Sequence, residues 1–170
     1  MKKTLLILGL AVCAAFTACQ KDEICGTATE ALAGEWVVLI DAVDASGQIL
    51  YEDPYGMGES FVYTYNTSAN TPNVMFLDDQ GEFWEYKCKV NCNVESLTFS
   101  ANGADDLYNG ISVDVTGGKI TPGGATSPSG MPVDAIEFYI TFSDDDYIGN
   151  LYDKLYVHGY RYTGFAADEP

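Results

Sequence analysis

The sequence predicts an all-β fold, an antiparallel up-and-down barrel of about eight to nine strands preceded by a short helical turn. Three observations predict it. Aromatic and β-branched residues are plentiful while helix-periodic stretches are scarce. Short apolar runs recur at close intervals, separated by Gly, Pro, Asn and Asp. In two stretches the alternation is strict: Trp84, Tyr86, Cys88 and Val90 share one face opposite Glu85, Lys87 and Lys89, and Ile136, Phe138, Ile140 and Phe142 oppose Glu137, Tyr139, Thr141 and Ser143. A period of two with one polar face means an antiparallel sheet buried on one side. Closure of such a meander into a barrel removes its edges. A two-sheet sandwich is the main rival, but no Cys…Trp…Cys spacing of immunoglobulin type supports it.

The elements follow in order. Thr27 to Ala33 is the one helical turn, with Thr27 and Glu30 at capping-box spacing. Strands are expected over 35–43, 48–52, 59–66, 74–78, 82–90, 95–101, 111–116, 133–143 and 155–165. The turn Asp44-Ala45-Ser46-Gly47 follows the first, Asp53 to Gly58 breaks the chain before the third, and Asp79-Gln80-Gly81 follows the fourth. Residues 117–132, with Gly117-Gly118, Pro122-Gly123-Gly124 and Ser127-Pro128-Ser129-Gly130, read as a long loop.

The N-terminus reads as an export signal. Met1-Lys2-Lys3 is a positive n-region, and Thr4 to Phe16 is an apolar run too short to span a bilayer. It ends in Phe16-Thr17-Ala18-Cys19, small residues before a cysteine, as at a lipoprotein processing site where Cys19 is acylated, palmitate-type, and becomes the new N-terminus. The expected organisation is a signal peptide over 1–18, a lipidated tether over 19–26 and one barrel domain over 27–170. Gln20-Lys21-Asp22-Glu23 resembles the surface-export signal of Bacteroidota-type lipoproteins. The expected location is the outer membrane, lipid-anchored and facing the cell exterior, with a periplasm-facing anchor as the alternative.

Removing residues 1–18 leaves 8 − 2 = 6 basic and 25 acidic residues, a net charge of 6 − 25 = −19 on 170 − 18 = 152 residues. That argues against nucleic acid, whose phosphates need Lys and Arg, and against adsorption on anionic headgroups. Membrane attachment then rests on acyl chains.

Gly34-Glu35-Trp36 opens the first strand directly after the helical turn, and Arg161, the only arginine, shares a face of the last strand with Leu155, Val157 and Gly159. In lipocalin-type (calycin) barrels a G-x-W begins the first strand and a basic residue of the last strand packs across the indole. Gly34, Trp36 and Arg161 are therefore the expected barrel base. An inward arginine stacked on an indole, with its donors on carbonyl oxygens, satisfies a charge otherwise costly to bury.

The segment 26–36 (Gly26 through Trp36), Val94-Glu95-Ser96-Leu97-Thr98-Phe99 and His158-Gly159-Tyr160-Arg161-Tyr162-Thr163-Gly164-Phe165 resemble a family of Bacteroidota lipoproteins described as "lipid-binding putative hydrolase". The resemblance implies a lipocalin-like barrel and a lipid-like ligand, and it carries over no catalytic residues.

Hydrolysis finds little support in the residues themselves. The chain has one histidine, His158, on the strand face opposite Arg161, and it lacks a G-x-S-x-G elbow. Paired carboxylates carry no specificity among 25 acids. No catalytic residue, metal or cofactor is assigned. Cys25, Cys88 and Cys92 remain beyond the signal and anchor cysteines, and Cys88 and Cys92 on a regular strand stand about 13 Å apart, beyond disulfide reach. A turn at Val90-Asn91 or a bond to Cys25 are the alternatives, and one thiol is left over in either case. Asp144-Asp145-Asp146 with Asn150 and Asp153 lacks EF-hand spacing and reads as a solvated loop.

The expected function is non-catalytic binding of an apolar or amphipathic small molecule inside the barrel, with Trp84, Tyr86, Val90, Phe138 and Ile140 as the candidate lining. The alternative is a filled barrel acting as a surface glycan- or protein-interaction module through Tyr156, Tyr160 and Tyr162. An ester or lipid hydrolase is the third reading. Ligand identity and oligomeric state are left open.

Overall fold

The computed structural model describes residues 26–169. The expected signal peptide over 1–18, Cys19 and Cys25 lie outside them. Nine strands form one antiparallel sheet: β1 (Gly34–Val43), β2 (Ile49–Tyr51), β3 (Ser60–Asn66), β4 (Val74–Asp78), β5 (Lys87–Asn93), β6 (Thr98–Asp105), β7 (Ser112–Thr126), β8 (Pro132–Phe142) and β9 (Lys154–Arg161). Neighbours pair in chain order from β3 to β9, and β1 pairs with both β3 and β9. The ladder from Trp36↔Arg161 to Val43↔Lys154 closes the sheet into an eight-stranded barrel. The short β2 is an extra strand on the far end of β1, through Ala42↔Tyr51 and Val43↔Ile49.

Alternation determines the interior. Trp36, Val38, Ile40 and Ala42 of β1 are buried with Cys88 and Val90 of β5 and Ile136, Phe138, Ile140 and Phe142 of β8. Each large apolar side chain removed from water contributes about 1.5–3 kcal/mol. A 3-10 turn over Glu30–Leu32 places Leu32, fully buried, under the base of the barrel. Its N-cap residue is Thr29 and no side chain caps it, so the Thr27/Glu30 capping box does not form. A single turn exposes too few orphan amides to need one.

Strands β6, expected over 95–101, and β9, expected to run to 165, shift at their ends by up to four residues, and two other elements differ more from the sequence reading. The fifth strand begins at Lys87, not at 82, because residues 79–86 wrap around the carboxylate of Asp79. Gln80 and Glu85 take left-handed φ of 52° and 55°, which extended strands exclude. The expected loop over 117–132 is strand as far as Thr126, and Ser127–Met131 makes the turn, with Gly130 N–H on the Ser127 carbonyl. Its glycines sit where the ladder slips, between Thr116/Lys119 and Thr121/Ala125, and Gly117 and Gly123 have φ of 65° and 62°. At Gly118 a Cβ would stand 2.5 Å from Phe99, so glycine there makes room for an aromatic ring.

The Asp144–Asp146 loop is not fully solvated either. Asp145 is buried and accepts the Tyr152 hydroxyl at 2.7 Å and the Tyr147 N–H at 2.9 Å. Strand β5 continues through Asn93, and among the described residues Cys88 and Cys92 form no disulfide with each other.

Candidate functional site

At the base, the Arg161 guanidinium lies 4.4 Å over the Trp36 ring. It donates to the Ala33 carbonyl at 2.7 Å and to Asp134 at 3.1 Å. The indole N–H donates to the Thr64 hydroxyl at 2.8 Å, which donates to the Leu32 carbonyl at 2.6 Å. A Cβ at Gly34 would stand 2.5 Å from the Arg161 guanidinium and 2.9 Å from the Trp36 ring, so the glycine of G-x-W is what admits the stack. These three residues join the turn, β1 and β9.

The opposite end is filled by aromatic rings. Trp84 stacks on Phe142 with centroids 4.8 Å apart, and Tyr55 stands edge-on to both Trp84 and Phe83 at 5.5 Å. The Tyr55 and Tyr152 hydroxyls bond each other, and the Trp84 N–H donates to Asp144 at 3.0 Å. The loop carrying Trp84 is held by Asp79, whose carboxylate accepts the N–H groups of Gly81, Phe83, Trp84, Glu85 and Tyr86 at 2.8–3.1 Å.

Of the five candidate lining residues, Tyr86, Val90, Phe138 and Ile140 are buried against one another and their neighbours in the barrel core. Trp84 is half-buried in the β4–β5 loop. None of the five lines a described cavity. Burial pushes the Tyr86 hydroxyl pKa well up, and its oxygen has no hydrogen-bond partner among the described residues.

A cavity of about 410 Å³ lies instead on the outer wall, across β8, β9 and β1, between the end of β7 and Glu59. The pairings Leu39↔His158, Glu137↔His158, Val37↔Tyr160 and Ala135↔Tyr160 bring its residues side by side. Val37, Leu39, Ala125 and Ala135 contribute apolar surface, and Tyr156, His158 and Tyr160 supply rings. Tyr156 stacks on His158 at 4.8 Å and donates to Glu137 at 3.0 Å. Burial and that carboxylate push the Tyr156 pKa up to about 12. Burial, then the Glu59 carboxylate, raises the Tyr160 pKa as well.

His158 Nε2 lies 3.0 Å from Asp41 Oδ2. A His–carboxylate pair is two-thirds of a triad. Among the described residues no serine, threonine or cysteine hydrogen-bonds the ring, so the pair has no poised nucleophile. No cluster of three or more His, Cys, Asp or Glu fit for a metal occurs among the described residues.

A closed eight-stranded antiparallel barrel with one added strand, almost no helix and an Arg–Trp stack at its base defines an all-β barrel of lipocalin-like type. The chain matches the family described as "Lipid-binding putative hydrolase" over residues 21–166, and it belongs to that family. No curated protein matches it.

The outer face of β9, with Tyr156, His158 and Tyr160, was visible in the sequence as an alternation. The cavity on it was not, because its other residues come from β1, β7, β8 and the segment before β3. The bulge between Thr121 and Ala125, which shapes one wall, carries only its glycines as a signal.

Proposed function

We propose that the protein is a lipid-anchored, cell-surface binder that holds an apolar or amphipathic small molecule without chemically altering it, in the outer-wall cavity and not inside the barrel. The observation that carries this reading is the cavity itself. Its volume of about 410 Å³ falls in the range of small-molecule sites, and apolar side chains with a few polar groups line it. Membership of a family described as lipid-binding supports the ligand class. The close packing of Tyr86, Val90, Phe138 and Ile140 favours an outer site, since a guest inside would have to displace them. Acylation at Cys19 would supply the anchor to the outer membrane.

Native mass spectrometry of the full chain purified from its host tests this. A bound amphiphile should co-purify with the unaltered protein and be lost from Ala135→Trp, whose indole would fill the cavity. Recovery of the same ligand with both proteins contradicts the outer site.

One observation favours a second reading, a surface interaction module. Ile49, Leu50, Tyr51, Tyr147 and Leu151 are all exposed near the aromatic end, beside a shallow cavity of about 570 Å³. Such a patch suits a macromolecular partner. Pull-down with Tyr51→Ser/Tyr147→Ser as the control separates this reading from the first.

A further inference from the structure

We infer that the outer-wall cavity selects an amphiphile whose headgroup carries a positively charged nitrogen; this rests on the cavity being the binding site. The argument begins with charge. The ionisable residues lining the cavity are Glu59, Glu137, His158 and two tyrosines, with no lysine or arginine among them. Glu59 is exposed at one margin, ahead of β3, and Glu137 lies on β8 beside His158. The imidazole faces a third acid on the same wall, with its Nε2 3.0 Å from Asp41. Lys119 stands across the ladder from Glu137 but does not line the cavity, so a fatty-acid carboxylate or a bare phosphate seated here would meet like charges before any cation.

The rings point to the same chemistry. Tyr156 and Tyr160 both line the cavity, and a cation held against an aromatic ring with carboxylates nearby gains from both. Apolar Val37, Leu39, Ala125 and Ala135 then receive the chain. The ligand is thus an alkyl chain ending in an ammonium group, primary or quaternary, with the charge beside the Glu59 or the Glu137 carboxylate.

The full chain carrying Cys19→Ser, which has no acyl group of its own, is titrated calorimetrically with four eight-carbon probes: octyltrimethylammonium, octylamine, octanol and octanoate. The two cations should bind at least about tenfold more tightly than octanol, with octanoate weakest. Their order separates a quaternary from a primary amine. In Glu59→Gln/Glu137→Gln the preference over octanol should fall roughly tenfold, while octanol binding stays unchanged. The control Glu95→Gln/Asp105→Asn removes the same charge from exposed positions elsewhere and should leave the preference intact. Thermal melts of both double variants check folding.

Equal binding of all four probes overturns the headgroup inference and leaves the cavity standing. So does a preference that persists in Glu59→Gln/Glu137→Gln or falls equally in the control, since it would then arise from the protein's overall net charge of −17. Failure of octanol to bind, or octanol binding that survives Ala135→Trp, overturns the cavity reading itself.

Discussion

Asp79→Ala should destabilise the barrel by about 3 kcal/mol, because one buried carboxylate organises the whole β4–β5 connection. Asp79 is fully buried. Its Oδ1 accepts Gly81 and Tyr86 N–H at 2.9 Å each, and its Oδ2 accepts Phe83, Trp84 and Glu85 N–H at 3.1, 2.8 and 3.0 Å. Removing the acceptor leaves five donors unmet, and at a net ~1 kcal/mol for each bond the loss is about 5 kcal/mol. Phe83, Trp84 and Glu85 are half-buried or exposed, so water replaces part of it; Tyr86 is buried in the core and finds none. That brings the expectation to about 3 kcal/mol. Urea unfolding followed by far-ultraviolet circular dichroism measures it, with an unchanged m-value as the sign that the same surface is exposed. A loss below about 1 kcal/mol would refute the reasoning and mean that the loop does not depend on this carboxylate.

The other predictions come from the base, the core and the buried ionisable groups. Arg161→Lys should cost about 1–3 kcal/mol in the same assay, because an ammonium cannot lie flat on Trp36 while bonding Ala33 and Asp134 together. Tyr86→Phe should be neutral or stabilising by up to about 1 kcal/mol, since it deletes a buried hydroxyl that has no partner among the described residues; a marked loss would mean that the hydroxyl is bonded after all. Burial, then Asp106 and Asp78, pushes the Cys88 pKa up to about 12, so Cys88 should react with a thiol reagent at pH 8 only after denaturation. Cys92, half-buried and also raised by burial, should react slowly in the native protein. Burial raises the pKa of Asp78, but donors from Tyr65, Gln80, Tyr108 and Lys87 outweigh it and hold the folded value below the ordinary 3.8. Its contribution is therefore complete above about pH 4 and is lost as pH falls through the lowered folded value. Asp78→Asn should flatten the acid side of the stability–pH profile, and an unchanged acid limb would contradict this.

Much of the barrel was legible because burial enforces alternation. Val74–Asp78 was read to the residue, and Ile136, Phe138, Ile140 and Phe142 all face inward. Reading failed where backbone hydrogen bonds, not side-chain pattern, decide the conformation. Trp84 and Tyr86 continue the alternation of Cys88 and Val90, yet Asp79 draws their N–H groups into a loop. Residues 117–126 carry enough glycine and proline to resemble a loop, but the glycines sit at bulges within a paired strand. The candidate site was harder to see. A tyrosine or tryptophan pointing inward fills a core as readily as it lines a cavity, and only the packing tells them apart. The outer cavity depends on the β7 bulge, which has no periodic signature.

The measurement that most directly tests the central claim is ¹H–¹⁵N shift mapping of the Cys19→Ser chain titrated with N-phenyl-1-naphthylamine, a neutral apolar probe. Binding on the outer wall predicts saturable changes centred on the amides of Leu39, Ala125, Ala135 and His158. Changes centred on Tyr86, Val90, Phe138 and Ile140 would place the ligand inside the barrel and contradict the account, as would no saturable change at all.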